Sequence, residues 1–274
     1  MLTTNPFAEL SASIPSSVMQ TFVVVMFLLV VAGTLFDVIH KRSAQYFFEN
    51  MKKNQGKGRA VSGGEKIGIA AATVAHDVLA SGEFCNPKRR IAHLLTMYGF
   101  IAFVVATVVM IFSASASGFW AVLWHLGALS VCVGGYWFWF AIRVDVAAEG
   151  QGPLRLMRAD LFVLSLLATT TFALLWSLAQ GSGIGWLFFI LFIGSALVLF
   201  GGVPWSKFAH MFFKPAAAYQ KRITKADGTQ ENLPDIGDLS DPEIQARYPD
   251  IPMYMGKNPP NMGLGIKRES ANHY

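Results

Sequence analysis

The sequence is poor in charge. Only 14% of its 274 residues are Asp, Glu, Lys or Arg, against about 25% in an ordinary soluble domain. Hydrophobic residues make up 53% and the mean hydropathy is +0.43. The shortage of charge therefore excludes a soluble globular domain and a disordered chain. Cysteine is scarcer still. Cys85 and Cys132 are the whole complement, too few for a disulfide framework or a cysteine-ligated cluster. There is no CxxC pair, no phosphate-binding loop and no GxGxxG after a strand. The pairs Gly63-Gly64 and Gly201-Gly202 mark flexibility or tight packing, not phosphate cradles. Internal repeats and low-complexity runs are absent, and no nucleic-acid partner is expected.

Long apolar runs, by contrast, are plentiful. Five stand out: Thr21–Val38, Leu94–Phe112, Trp120–Ile142, Leu161–Ala179 and Trp186–Val203. Each is close to the ~20 residues that a helix needs to cross ~30 Å of hydrocarbon. Helices are expected because an open strand would leave backbone groups unpaired in lipid. The fold class read from the sequence is an all-α integral membrane protein with five transmembrane helices.

The basic residues set its expected orientation. Met1–Gln20 has no Lys or Arg, the segment between the first two runs has ten, and the segment between the third and fourth has three. The tail from Lys207 has nine, and the two remaining breaks have none. All 22 thus fall on one side, which the positive-inside rule places in the cytoplasm. The expectation is an N-terminus outside, a C-terminus in the cytoplasm, and residence in the inner membrane. The first run lacks a basic leader and is too long for a signal-peptide core, so it is expected to persist.

Three regions follow. Residues 1–20 form an external segment. Residues 21–222 form the five-helix membrane domain, whose cytoplasmic loop 40–90 contains an amphipathic helix over Glu65–Ala80. Residues 223–274 form an extended tail with seven acidic residues between Asp227 and Asp250 and five prolines. Its apolar residues lack a period, so it cannot build a core. Tyr248, Met253, Tyr254, Met255 and Met262 favour docking on a partner over simple solvation. Tyr136, Trp137 and Trp139 read as an aromatic belt.

Six histidines remain: His40, His76, His93, His125, His210 and His273. Ionisable residues in or beside a bundle point to function, most often haem ligation or proton transfer. His93 and His210 share a depth at the cytoplasmic ends of the second and fifth runs. His125, six residues into the third run from the other surface, lies roughly 20 Å away in depth. Axial histidine nitrogens on one iron are only ~4 Å apart. His93 and His125 therefore cannot share a haem, whereas His93 and His210 can. Lys88, Arg89, Arg90 and Lys207 surround that pair and suit haem propionates. The same residues also suit an ordinary basic rim, and the two histidines an interface without metal. His76 can ligate, shuttle protons with Asp77, or sit at the surface; Asp37 and Lys207 are further proton-path candidates. His125 needs a hydrogen-bond partner, a haem or a quinone, with Trp124 beside it for the last. His40 suits the membrane interface.

The stretch His76–Phe100, HDVLASGEFCNPKRRIAHLLTMYGF, resembles the cytochrome b domain of the quinone-interacting oxidoreductase of sulfur metabolism, in the superfamily of the nitrate reductase gamma subunit. The runs Arg158–Leu167, RADLFVLSLL, and Pro204–Pro215, PWSKFAHMFFKP, resemble the start of the fourth helix and the end of the last helix in that superfamily. With five spans and no iron–sulfur domain, the chain is most similar to membrane anchors of dissimilatory adenylylsulfate reductase from sulfur oxidisers. The resemblance implies haem b on His93 and His210, quinone exchange, and soluble flavin and iron–sulfur partner subunits in the cytoplasm. It implies that substrate chemistry belongs to those partners. The second haem of the superfamily would need ligands near Ala102 and Phe192, where no histidine stands. One haem is therefore expected, with His125 or His76 the remaining ligands for a second. A haem-free structural anchor and a nitrate-reductase-like gamma subunit are the alternatives.

Overall fold

A computed structural model of the chain describes residues 2–40, 42, 45, 49, 52–53, 56–82, 84, 86–145, 150–206, 208, 210–229 and 242–247. Cys85, Lys207, His273 and the tail beyond residue 229 apart from 242–247 lie outside the described residues, as does the side chain of His210. The described residues are helical or irregular, with no strand among them. Five helices are long and apolar enough to cross a membrane: Ser16–Ile39, Pro87–Phe112, Gly118–Ile142, Arg158–Leu178 and Gly183–Gly201. The protein is thus an all-helical, multi-pass membrane protein.

The elements in chain order are α1 (Pro6–Leu10), α2 (Ser16–Ile39), α3 (Gly63–Ala72), α4 (Pro87–Phe112), α5 (Gly118–Trp137), α6 (Leu161–Leu178), α7 (Gly183–Gly201), α8 (His210–Ala226) and α9 (Pro242–Arg247). Two helices run on into π-helical segments: α3 through Thr73–Leu79 and α5 through Phe138–Ile142. The spans that carry few polar residues are ended by specific capping chemistry. Asn86 starts α4 by accepting from Lys88 N and Arg89 N at 2.9 and 3.4 Å, with Pro87 preset in the first turn. Ser182 starts α7 by accepting from Gly185 N at 3.2 Å.

The expected amphipathic helix is present as α3 and its π-helical continuation, within a residue or two of the limits read from the pattern. α8 runs to Ala226, so helix continues past the 222/223 boundary between membrane domain and tail. The N-terminal segment is more ordered than an external leader. Its α1 caps the bundle end remote from the basic loops, here called the far end. Asn5 Nδ2 donates to Met110 O at 3.0 Å, Gln180 Nε2 donates to Pro6 O at 2.9 Å, and Phe7 is buried.

The tightest helix pair is α4 with α5. A Cβ on Gly99 would sit 2.8 Å from Gly127 O, and one on Gly134 would sit 2.6 Å from Ala92 O. Ala92, Gly99 and Ala106 are seven apart, as are Gly127 and Gly134. That heptad of small residues lets two backbones approach closely, which is how helices associate in lipid without a hydrophobic drive. Near the far end the core is aromatic: Phe7, Phe103, Trp124, Trp176, Phe189 and Phe192. Near the basic end a smaller cluster of Val131, Leu166, Leu199, Val203 and Phe208 closes the bundle.

Candidate functional site at the basic end

His93 stands two turns into α4. Its Nδ1 lies 2.9 Å from Ser81 Oγ, and its ring lies against Phe84 with centroids 4.8 Å apart. Ser81 is 1% exposed and holds a left-handed backbone, φ 49°. That turn folds the end of the π-helical segment back onto α4. Arg90 Nε donates to Ala80 O at 2.8 Å and Tyr98 Oη donates to Leu79 O at 2.7 Å, so three α4 side chains grip residues 79–81. In the tautomer in which Ser81 Oγ accepts the Nδ1 proton, Nε2 carries the lone pair of the ring, the form that ligates iron.

Phe100 lies seven residues beyond His93 and so on the same face of α4. That face meets the segment that leads into α8: the Phe100 and Phe208 rings are 6.4 Å apart and edge-on. Phe208 is buried, and His210 follows two residues later as the first residue of α8. Arg89 and Arg90 flank His93 on the first turn of α4, both half-buried.

His76 and Asp77 sit in the π-helical segment. Such segments recur at functional sites because they re-aim side chains. Here they turn Asp77 toward α8, where Arg222 donates to both carboxylate oxygens at 2.8 Å. His76 Nδ1 donates to Asp77 Oδ1 at 2.8 Å, and its side chain remains 59% exposed. The Arg222 guanidinium first, and His76 after it, hold the Asp77 carboxyl below the usual carboxylate range. Gly82 leaves room for the imidazole, since a Cβ there would fall 2.1 Å from His76 Cε1.

His125 lies elsewhere, within the far half. It is 7% exposed, with Nδ1 donating to Ala121 O at 2.7 Å and Nε2 accepting from Ser177 Oγ at 2.7 Å. Of the partners the sequence left open, it has hydrogen bonds on both nitrogens. Trp124 is fully buried, and its Nε1 donates to Thr107 Oγ1 at 2.9 Å. Neither residue turns a polar atom toward a ligand. Ala102 borders the lipid-facing side of α4, and Phe192 is buried against Trp176 and Phe103.

Three participants escape a sequence reading. Ser81 and Arg222 look like loop and tail residues until the fold brings them to His93 and Asp77. Arg143, counted with the basic rim, is 0% exposed. It pairs with Asp160 Oδ2 at 2.6 Å, donates to Gly152 O and Arg155 O, and lies 4.1 Å over the Trp139 ring. Trp139 is therefore a buried platform rather than a belt residue. The only advance signal for this was an acidic residue, Asp160, at the mouth of an apolar run.

Among the described residues no group of three or more His, Cys, Asp or Glu is arranged to hold a metal ion. A haem iron asks only for axial ligands, because the porphyrin supplies the rest. Compared with known proteins, the chain matches no family model, no curated sequence and no solved structure.

Proposed function

We propose that this chain is the membrane anchor and quinone-linked electron-transfer subunit of a cytoplasmic oxidoreductase, with one haem b between His93 and His210. The observation that carries the reading is the seating of His93. Its ring is oriented by the buried Ser81, on the α4 face whose Phe100 meets Phe208, two residues before α8. A hydrogen bond to the nitrogen that does not ligate is what orients an iron-ligating histidine. When bound, haem b supplies a one-electron carrier. The residues of the chain would do the rest: His93 Nε2 and His210 ligate, Ser81 holds the first ring, and Arg89, Arg90 and Lys207 offset propionate charge.

The basic end faces the cytoplasm on this reading, in an inner membrane, because all the Lys and Arg lie there. The partner is a soluble flavin and iron–sulfur enzyme. The resemblance favours adenylylsulfate reductase, which would convert sulfite and AMP to adenylylsulfate and pass the electrons to quinone. His76 and Asp77 would carry protons at that side, and the tail beyond residue 223 would dock the partner.

The decisive measurement is a reduced-minus-oxidised spectrum of the purified chain. A b-type band is expected, and it is expected to vanish in both His93→Ala and His210→Ala. Ser81→Ala should weaken haem retention by roughly 10- to 100-fold, the usual effect of losing such a partner. A folded preparation without the band would refute the electron path and leave a structural anchor. A band that survives both histidine substitutions would move the ligands elsewhere.

A further inference from the structure

The close approach of α4 and α5 has a second consequence, on the face of α4 turned away from His93. A Cβ on either Gly99 or Gly127 would come within 2.8 Å of the backbone of the facing helix. Outside that contact the two helices leave an apolar furrow of about 390 Å³ between Ile91, Leu94, Tyr98 and Ala102 on one wall and Leu126 and Ser130 on the other. Ile91, Tyr98 and Leu126 are 48%, 47% and 56% exposed, so the furrow opens to the bilayer and not to the bundle. At 100° per residue, His93 and Phe100 lie about half a turn round α4 from this line.

Length and charge point to its occupant. From Ile91 to Ala102 the furrow follows α4 for roughly 16 Å, half of the ~30 Å hydrocarbon core and so the depth of one leaflet. It starts at the basic end. Lys88, Leu95 and Ala102 are seven apart and continue one line out of the furrow to the exposed Lys88 ammonium. Neither α4 nor α5 contains an Asp or Glu, so nothing within this helix pair offsets the lysine. On α5, Trp137 lies seven residues beyond Ser130, where an indole meets lipid headgroups. Basic groups at the mouth of an inter-helix furrow recognise anionic headgroups.

We infer that the furrow holds one acyl chain of an anionic phospholipid whose phosphate is bound by Lys88. The site stands apart from the histidines and does not depend on any redox role.

The test is native mass spectrometry of the full chain, purified in detergent and offered phosphatidylglycerol or phosphatidylcholine. One phosphatidylglycerol per chain is expected to survive washing, and phosphatidylcholine is not. Lys88→Gln should cut retention roughly fivefold, the factor one lysine contributes beside an anionic headgroup. Ala102→Phe fills the end of the furrow remote from Lys88 and should abolish it. Gly194→Phe, on α7 where a Cβ would meet nothing within 4 Å, should retain the lipid and controls for bulk alone. Equal retention of the two lipids overturns the inference. So does retention of phosphatidylglycerol that neither Lys88→Gln nor Ala102→Phe changes.

Discussion

His125 shows how a single residue can look functional in a sequence and be satisfied in a fold. A histidine within an apolar run costs several kcal/mol unless its polar atoms are paired. The pairing comes from Ser177, 52 residues away on α6. His125→Phe should therefore cost about 1–3 kcal/mol by stranding the Ser177 hydroxyl. Adding Ser177→Ala should recover most of that loss, since removing both partners leaves nothing unpaired. Thermal unfolding of the two variants in detergent checks this. The b-type band proposed for His93 should be unchanged in both, and its loss in His125→Phe would return His125 to the ligand set. The depth of His125 was legible from residue counting alone. Its partner was not, because that depends on the rotation of α6 about its own axis. Such rotation is weakly encoded when a helix is apolar all round.

At the scale of elements, two ion pairs hold the basic end together. One clasps the α3 continuation to α8 through Asp77 and Arg222. Arg59 N also donates to Asp227 O at 2.9 Å, tying the approach to α3 to the end of α8. Because the Asp77 carboxyl is held below its usual range, its contribution to stability is complete above the unfolded value, near pH 4. It is lost only as pH falls through the lower, folded value. Amide-exchange protection of residues 63–79, corrected for intrinsic rates, should thus stay flat from pH 5 to 8 and fall only in stronger acid. Arg222→Gln should lower that protection at every pH, by about 1 kcal/mol for a partly exposed pair. A drop within pH 5 to 8 would overturn the assignment of this stability to Asp77. Helix α3 was legible from its glycine break and amphipathic run. Its partner α8 was less legible, because it carries Pro215 in its interior, where proline argues against helix.

The other ion pair is buried. Arg143 donates to Asp160 and to two carbonyls of the loop between α5 and α6, and a π-helical turn delivers it there, with Arg143 N bonded to Phe138 O at 2.8 Å. Removing one partner of a buried pair costs about 3–5 kcal/mol, because the other charge is left uncompensated. Asp160→Asn should approach that loss and make residues 150–158 sensitive to protease, while Arg155→Gln, outside the pair, should do neither. Equal stability of Asp160→Asn and the parent chain would show that water compensates Arg143.

At the scale of the whole molecule, the spans follow from hydropathy: their C-terminal limits fall within two residues of those expected, while α2 and α4 begin five and seven residues earlier. What hydropathy does not encode is how the ends are finished. α1 is held over the far end by two side chain-to-backbone bonds, and the continuation of α3 grips α8 at the other through the Asp77–Arg222 ion pair. Sidedness rests on a different quantity, the distribution of 22 basic residues. The far end offers none, so nothing there resists translocation, and a reversed insertion would have to carry the basic loops and tail across the bilayer. With Cys85 and Cys132 replaced by Ser, Ser13→Cys should react with a membrane-impermeant thiol reagent in intact cells. Lys225→Cys, exposed on α8, should react only after the membrane is opened. The reverse pattern would place His93, His210 and the Asp77–Arg222 clasp on the outer surface, where a cytoplasmic enzyme cannot reach them, and would refute the proposed partner along with the orientation.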